Sequence, residues 1–159
     1  MLLRYLKKIF YNSVAELREN RWWGTYAAVD CTAMENVAQA IKAELKEHQS
    51  ELSTLDYTQI QQYGYEKYKN FSFDLLDFIK QLNGGTIPAT VENSLSQAVV
   101  AKNCLNGEEY PFVTLKIDAT RYCGMGMYFP GRQIKSSWDK YCQSSVAWYN
   151  AAGWNEIQP

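Results

Sequence analysis

Apolar residues return every three or four positions along much of this chain, and that rhythm predicts helices. Leu2, Leu3, Leu6, Ile9, Phe10, Val14 and Leu17 share one face, with Arg4, Lys7, Lys8, Glu16 and Arg18 between them. Trp22 and Trp23 mark a turn, and the apolar run Thr25–Cys31 predicts a short buried strand. Thr32-Ala33-Met34-Glu35 then fits a capping box, with Thr at the N-cap and Glu three residues on. Met34, Val37, Ala38, Ile41 and Leu45 continue on one face, so the strand is expected to feed a helix of about four turns.

From Gln49 to Asn70 the chain is polar and rich in tyrosine. Leu52, Leu55, Ile60 and Tyr63 could line one helix face, and Gly64 weakens the pattern beyond them. The next helix is clearer. Ser72 can cap it, Asp74 complements its dipole, and Leu75, Leu76, Phe78, Ile79 and Leu82 supply its apolar face. Asn83-Gly84-Gly85 stops it. Pro88 suits the first turn of another helix, carrying Val91, Leu95, Ala98 and Val99. The run Ala98–Ala101 could equally leave that helix as a strand.

Strand-like alternation begins further on. Phe112–Ile117 and Gly124–Phe129 read as strands, and Asp118–Cys123 between them is of hairpin length. Glycine at 124 and 126 lets a backbone or a ring pack closely on one face, so this stretch is read as packing, not as a phosphate loop. A last helix is expected from Ser136, with Trp138, Tyr141, Cys142, Ser145 and Trp148 on one face and Gly153 at its end. No repeat or linker interrupts the pattern. The expectation is one α+β domain over residues 1–159: mostly a helical bundle, with a short strand near the start and a β-hairpin near the C-terminus.

Composition narrows the function. With 16 basic and 17 acidic residues, there is no positive excess to neutralise phosphates, so nucleic acid is not an expected partner. Charges interrupt every apolar run before the ~20 residues a membrane span needs, and the first helix lacks the unbroken core of a signal peptide. Twelve tyrosines and five tryptophans suit half-wet interfaces. Cys31, Cys104, Cys123 and Cys142 show no metal-ligand spacing and read as buried free thiols, with a Cys104–Cys123 bridge left open.

A catalytic constellation is hard to assemble. His48 is the only histidine. It shares a helix face with Glu44, but two ligands do not make a metal site. Cys31 lies where a strand meets a helix N-terminus, a place that often hosts nucleophiles. Its only imidazole lies roughly 24 Å along the same helix at 1.5 Å per residue. Cys31 therefore reads as structural. No catalytic, cofactor-binding or metal-binding residue is assigned, and no cofactor is expected.

The order of segments resembles the C-terminal, non-catalytic region of clostripain-type cysteine peptidases, of the caspase and gingipain clan. The resemblance lies in TYAAVDCTAMENVAQAI (25–41), DLLDFIKQL (74–82), AVVAKN (98–103), GMGMYFPG (124–131) and AAGWNEI (151–157). In that family the corresponding region completes one edge of the sheet and adds a helical bundle with a hairpin. The family's catalytic Cys follows Asp-Ala, whereas Asp30 directly precedes Cys31 here. Its His precedes the Cys, whereas His48 follows Cys31. No catalytic residue carries over.

The resemblance implies an accessory portion of an endopeptidase that cleaves after basic residues, partnered by the catalytic half. Calcium occurs in some relatives, but no cluster of acidic ligands argues for it here. The family is often exported, yet the compartment stays open. An alternative is a free-standing protein-binding module of the same fold that docks on a peptidase, an expectation favoured by the initiating Met1 and the first helix. A third is an unrelated enzyme built on Cys31.

Overall fold

The computed structural model describes residues 26–63, 72–104, 117–127 and 136–157. The expected first helix, the Trp22-Trp23 turn and the strand through 112–116 lie outside the described residues. Those described form an α+β fold of five α-helices and two small antiparallel sheets.

Strand β1 (Tyr26–Val29) leads into helix α1 (Met34–Glu47), as the pattern predicts. The capping box does not form. Ala33 occupies the N-cap position and no side chain caps the helix. Asp30 turns the chain instead: its Oδ1 accepts from Thr32 N at 2.8 Å and its carbonyl accepts from Ala33 N at 3.2 Å. An Asx turn competes directly with a Thr cap for these amides.

Residues 49–63 are not one helix. Two 3-10 turns, Glu51–Ser53 and Tyr57–Gln59, replace it, and Gln62 bridges to Phe73. Leu52 and Ile60 are buried all the same. Their apolar spacing marked burial rightly and helix wrongly.

Strand β2 (Phe73–Asp74) runs straight into helix α2 (Leu75–Leu82). Asp74, not Ser72, is the N-cap, accepting from Asp77 N at 3.0 Å. Gly84 and Gly85 end the helix at φ of 62° and 100°, conformations that cost glycine little. Helix α3 (Ala89–Ala98) follows Pro88 and becomes strand β3 (Val99–Asn103), which settles the choice left open at 98–101. Strand β3 pairs antiparallel with β1, Ala28 opposite Ala101, with an irregularity at Ala28/Val29.

Strand β4 (Gly126–Met127) pairs antiparallel with β2. Of the expected strand Gly124–Phe129, only Gly126–Met127 pairs, with the entrance to α2, and Gly124 instead bends the chain at φ 90°; its expected hairpin partner, Ile117 apart, lies outside the described residues. The glycines pack as expected. A Cβ on Gly126 would stand 1.9 Å from Ser72 Oγ, and one on Gly124 (φ 90°) would stand 3.0 Å from Val99 Cγ1.

The last helix is broken. Helix α4 (Ser136–Ser145) stops at Val146 and α5 (Ala147–Ala151) follows. Tyr141, placed on the inward face by spacing, is exposed. The side chains of Trp138 and Cys142 lie outside the described set.

One main core joins the elements. Val37, Ile41 and Leu45 of α1, Leu75, Phe78, Ile79 and Leu82 of α2, and Val91 and Leu95 of α3 are buried together with Trp154 and Ile157. The Phe78 and Trp154 rings lie 6.4 Å apart. Burying one such side chain is worth about 1.5–3 kcal/mol. A satellite cluster of Ile117 and Tyr122 packs against Tyr63 and Cys104.

Candidate functional site

The residues that sequence reasoning weighed for chemistry do not converge. Cys31 sits exposed in the turn before α1. His48 closes the other end of that helix, its amide donating to the Glu44 carbonyl at 3.0 Å. Its imidazole Nδ1 stands 3.7 Å from Glu51 Oε1. Glu44 is buried and accepts from Asn83 Nδ2 at 3.0 Å. Glu44 and His48 are thus turned to different partners.

Among the described residues, no three His, Cys, Asp or Glu side chains group as a metal site, and no helix is long and apolar enough to cross a membrane. The cysteines are not uniformly buried. Cys31 is exposed, Cys104 half-buried and Cys123 buried, and all three are free, so the Cys104–Cys123 bridge is not formed.

The densest polar arrangement lies elsewhere, at the head of α2. It grows from two carboxylates three residues apart, Asp74 at the N-cap and Asp77 in the first turn of α2. Asp74 is fully buried. Its Oδ2 accepts from Cys123 N at 2.8 Å and from the Tyr63 hydroxyl, while its Oδ1 caps Asp77 N. Asp77, also buried, accepts from Gln61 N at 2.7 Å on Oδ2 and from Arg121 Nε at 3.1 Å on Oδ1. A terminal nitrogen of Arg121 donates to Asp77 Oδ2 and to the Gln59 carbonyl. The Gln61 side chain completes the mesh, donating to the Tyr63 hydroxyl at 3.1 Å and accepting from Asp118 N at 2.8 Å.

The electrostatics follow from burial. Loss of water pushes the Asp74 carboxyl above its ordinary value, against hydrogen bonds that pull it down. Burial and the neighbouring Asp74 push the Cys123 thiol up to about 12 and raise the Tyr63 phenol as well. The hydrogen bonds that Arg121 donates to Asp77 raise the guanidinium further. A thiol and a phenol held in their neutral forms are poor nucleophiles and poor bases. The carboxylate oxygens are engaged by internal donors. The geometry is that of a clip, tying the 57–63 segment and the 117–123 turn to one helix end.

Asp74 and Asp77 stand in the sequence as two acids inside FDLLDFI, three apart and flanked by Leu75 and Phe78. That spacing was the available signal: an acid pair on a buried face needs partners. Nothing local reveals that the partners stand as far off as Arg121.

No family model matches this sequence, and no curated protein matches it. Solved structures do. A secreted C11 cysteine protease from Bacteroides thetaiotaomicron, in complex with an irreversible peptide inhibitor, superposes with a TM-score of 0.53 at 19% identity. That match covers 82% of this chain and 35% of that one. A B. fragilis cysteine protease gives 0.55 at 15% identity, over 84% and 54%. An inactive zymogen of a C11 protease from Parabacteroides distasonis gives 0.57 at 17% identity, over 82% and 38%. The chain thus spans between about a third and just over half of the length of the proteins it matches. At these identities the likeness is one of fold: this chain has the architecture of part of a C11, clostripain-type cysteine protease.

Proposed function

We propose that this chain is the accessory, C-terminal portion of a clostripain-like cysteine endopeptidase that cleaves after basic residues. It lacks the His/Cys dyad itself, works as one unit over residues 1–159, and has the catalytic half as its partner. The observation that carries this reading is the asymmetry of the fold match: 82% of this chain against 35% of the secreted protease. The β1–β3 ribbon supports it. Among the described residues these strands pair only with each other. Their sequences, YAAV and VVAKN, are largely apolar, yet Val29 is exposed and Val99, Val100 and Ala101 are only half-buried. Apolar strands of this kind belong inside a larger sheet. The separation of Cys31 from His48 along α1 supports inactivity of the chain alone.

The test is hydrolysis of a fluorogenic arginyl peptide by the purified chain, with Cys31→Ser as control. No turnover alone, and turnover on mixing with a separately produced catalytic half carrying its own dyad, is the expected result. Turnover by the chain alone that disappears in Cys31→Ser would sink the proposal.

A second reading, a free-standing module that binds a peptidase, has its own support: among the described residues Val29 and Tyr141 are the only large hydrophobics exposed. It predicts that the chain stays monodisperse alone and binds a complete, already active peptidase without changing its need for a dyad.

A further inference from the structure

The 118–121 turn is the most solvent-exposed part of the clip, and it ends in the only arginine among the described residues. Asp118, Ala119 and Thr120 are exposed. The turn is closed by Arg121 N donating to the Asp118 carbonyl at 3.1 Å, and by Thr120 N and Oγ1 donating to Asp118 Oδ1 at 2.9 and 2.6 Å. An arginine on an exposed turn invites any peptidase with an acidic specificity pocket. Such a pocket needs the guanidinium free and the backbone extended.

Neither condition holds. The Arg121 side chain is still 38% exposed, but two of its guanidinium nitrogens are engaged by the Asp77 carboxylate and the Gln59 carbonyl. The fork of Nε and one terminal nitrogen on a single carboxylate is the geometry an arginine-specific pocket would itself use.

We propose that Arg121 is a masked cleavage site for arginine-directed peptidases, and that Asp77 masks it by holding the guanidinium in the place a peptidase pocket would take it. The biological sense of the mask rests on the function proposed above. A chain docked on an enzyme that cuts after basic residues meets that enzyme at high effective concentration, so an arginine on an exposed turn must be tethered for the chain to survive. Opening the mask permits hydrolysis of the Arg121–Tyr122 bond. The C–N bond breaks, the water oxygen joins the Arg121 carbonyl carbon as a carboxylate, and the new amine of Tyr122 takes a proton. The cut would sever the turn from Cys123, whose amide is bound by Asp74.

Limited digestion with trypsin at neutral pH, read by intact mass, tests the mask whether or not the chain serves a peptidase. The native protein is expected to resist cutting after Arg121 while it is cut at lysines in its exposed segments. Asp77→Asn is expected to raise cutting after Arg121 about tenfold or more, since cleavage tracks the population of the open turn. Arg121→Lys, which keeps a trypsin site but loses the fork, is expected to raise cutting at the same bond.

Val91→Ala, a core change away from the clip, separates masking from general loosening. It should speed cutting after Lys46 and Lys80 as much as after Arg121, whereas Asp77→Asn should speed cutting after Arg121 several-fold more than after either lysine. Native protein cut after Arg121 as fast as after exposed lysines would overturn the proposal. So would Asp77→Asn and Arg121→Lys variants cut there no faster than a Val91→Ala variant of equal melting temperature. A chain that passes this test and yet fails to support a catalytic half would keep its mask and lose only the proposed function.

Discussion

Two regions hold this molecule together by opposite means. The helix core of α1, α2 and α3 is joined by Val37, Ile41, Leu45, Phe78, Ile79, Val91 and Leu95, side chains without direction that tolerate small adjustments. The clip at the head of α2 is joined by Asp74, Asp77, Gln61, Tyr63 and Arg121, groups that must meet at fixed distances and angles. The core supplies stability in bulk. The clip fixes where two loops lie, and leaves costly unpaired groups when any member is removed. The comparison predicts a graded series of losses, with the core first.

The largest loss should come from Phe78→Ala. Phe78 is fully buried against Trp154 at the centre of the core. Removing its ring should cost about 3–5 kcal/mol in urea unfolding, partly as lost transfer energy and partly as cavity. A loss below that of the clip variants would reverse the ranking of the two regions.

Asp74→Asn comes next, at about 1–3 kcal/mol. Three donors converge on the Asp74 carboxylate: Asp77 N on one oxygen, and Cys123 N with the Tyr63 hydroxyl on the other. Neither orientation of an Asn amide satisfies both sides, because one side must then face an N–H with an N–H. The pH dependence sharpens the test. A folded pKa raised above the ordinary 3.8 means that the folded chain holds this proton more tightly than the unfolded one. The contribution of Asp74 to stability is therefore fully present below 3.8 and falls as pH rises through the raised folded value. Chemical unfolding across that window should show the fall in the native protein and its absence in Asp74→Asn. A contribution from Asp74 that grew with pH would mean that hydrogen bonding outweighs burial at this site.

How much of this was readable in the residues differs by region for a physical reason. Helical periodicity is a local signal, and it marked Val37, Ile41 and Leu45, then Leu75 to Leu82, then Val91 and Leu95 as buried faces. The strand at Tyr26–Val29 was equally plain. Where a local signal had a local rival, the reading failed. Asp30 turned the chain in place of Thr32, and Asp74 capped α2 in place of Ser72. Leu52 and Ile60 mimic a helix face because burial without periodic structure looks the same over so short a span. The clip was illegible because its partners stand 16, 44 and 49 residues apart in Gln61–Asp77, Arg121–Asp77 and Cys123–Asp74. No composition or spacing rule connects them.

Gly126 sits on the seam between the two regions, in β4 against β2. Its missing side chain makes room for Ser72, since a Cβ would fall 1.9 Å from Ser72 Oγ and 3.2 Å from its Cβ. Gly126→Ala should cost about 1–2 kcal/mol, less than a full overpacking penalty because the hydroxyl can rotate away. Ser72→Gly in the same chain should recover most of that loss. A double-mutant cycle measures the coupling. Additive losses would show that the glycine answers to something other than Ser72.

The smallest effect belongs to the surface, where charge neither packs nor specifies. Glu156, in the 3-10 turn Trp154–Glu156, pairs with Lys42 and with Lys46 at 2.8 Å, one turn apart on α1. Hydrogen bonds from Lys42 and then Lys46 lower its carboxyl to about 2. A lowered folded value contributes stability above the ordinary 4.5, and that contribution is lost as pH falls toward 2. Solvent screens an exposed pair of this kind, so Glu156→Gln should shift the melting temperature only slightly at neutral pH and less still in 1 M salt. Its clearer mark is the acid limb, where the variant should lose less stability than the native protein between pH 4.5 and 2. A loss from Glu156→Gln as large as that from Asp74→Asn would mean that the C-terminal turn is held on α1 by charge, and that Trp154 needs this pair to stay seated beside Phe78.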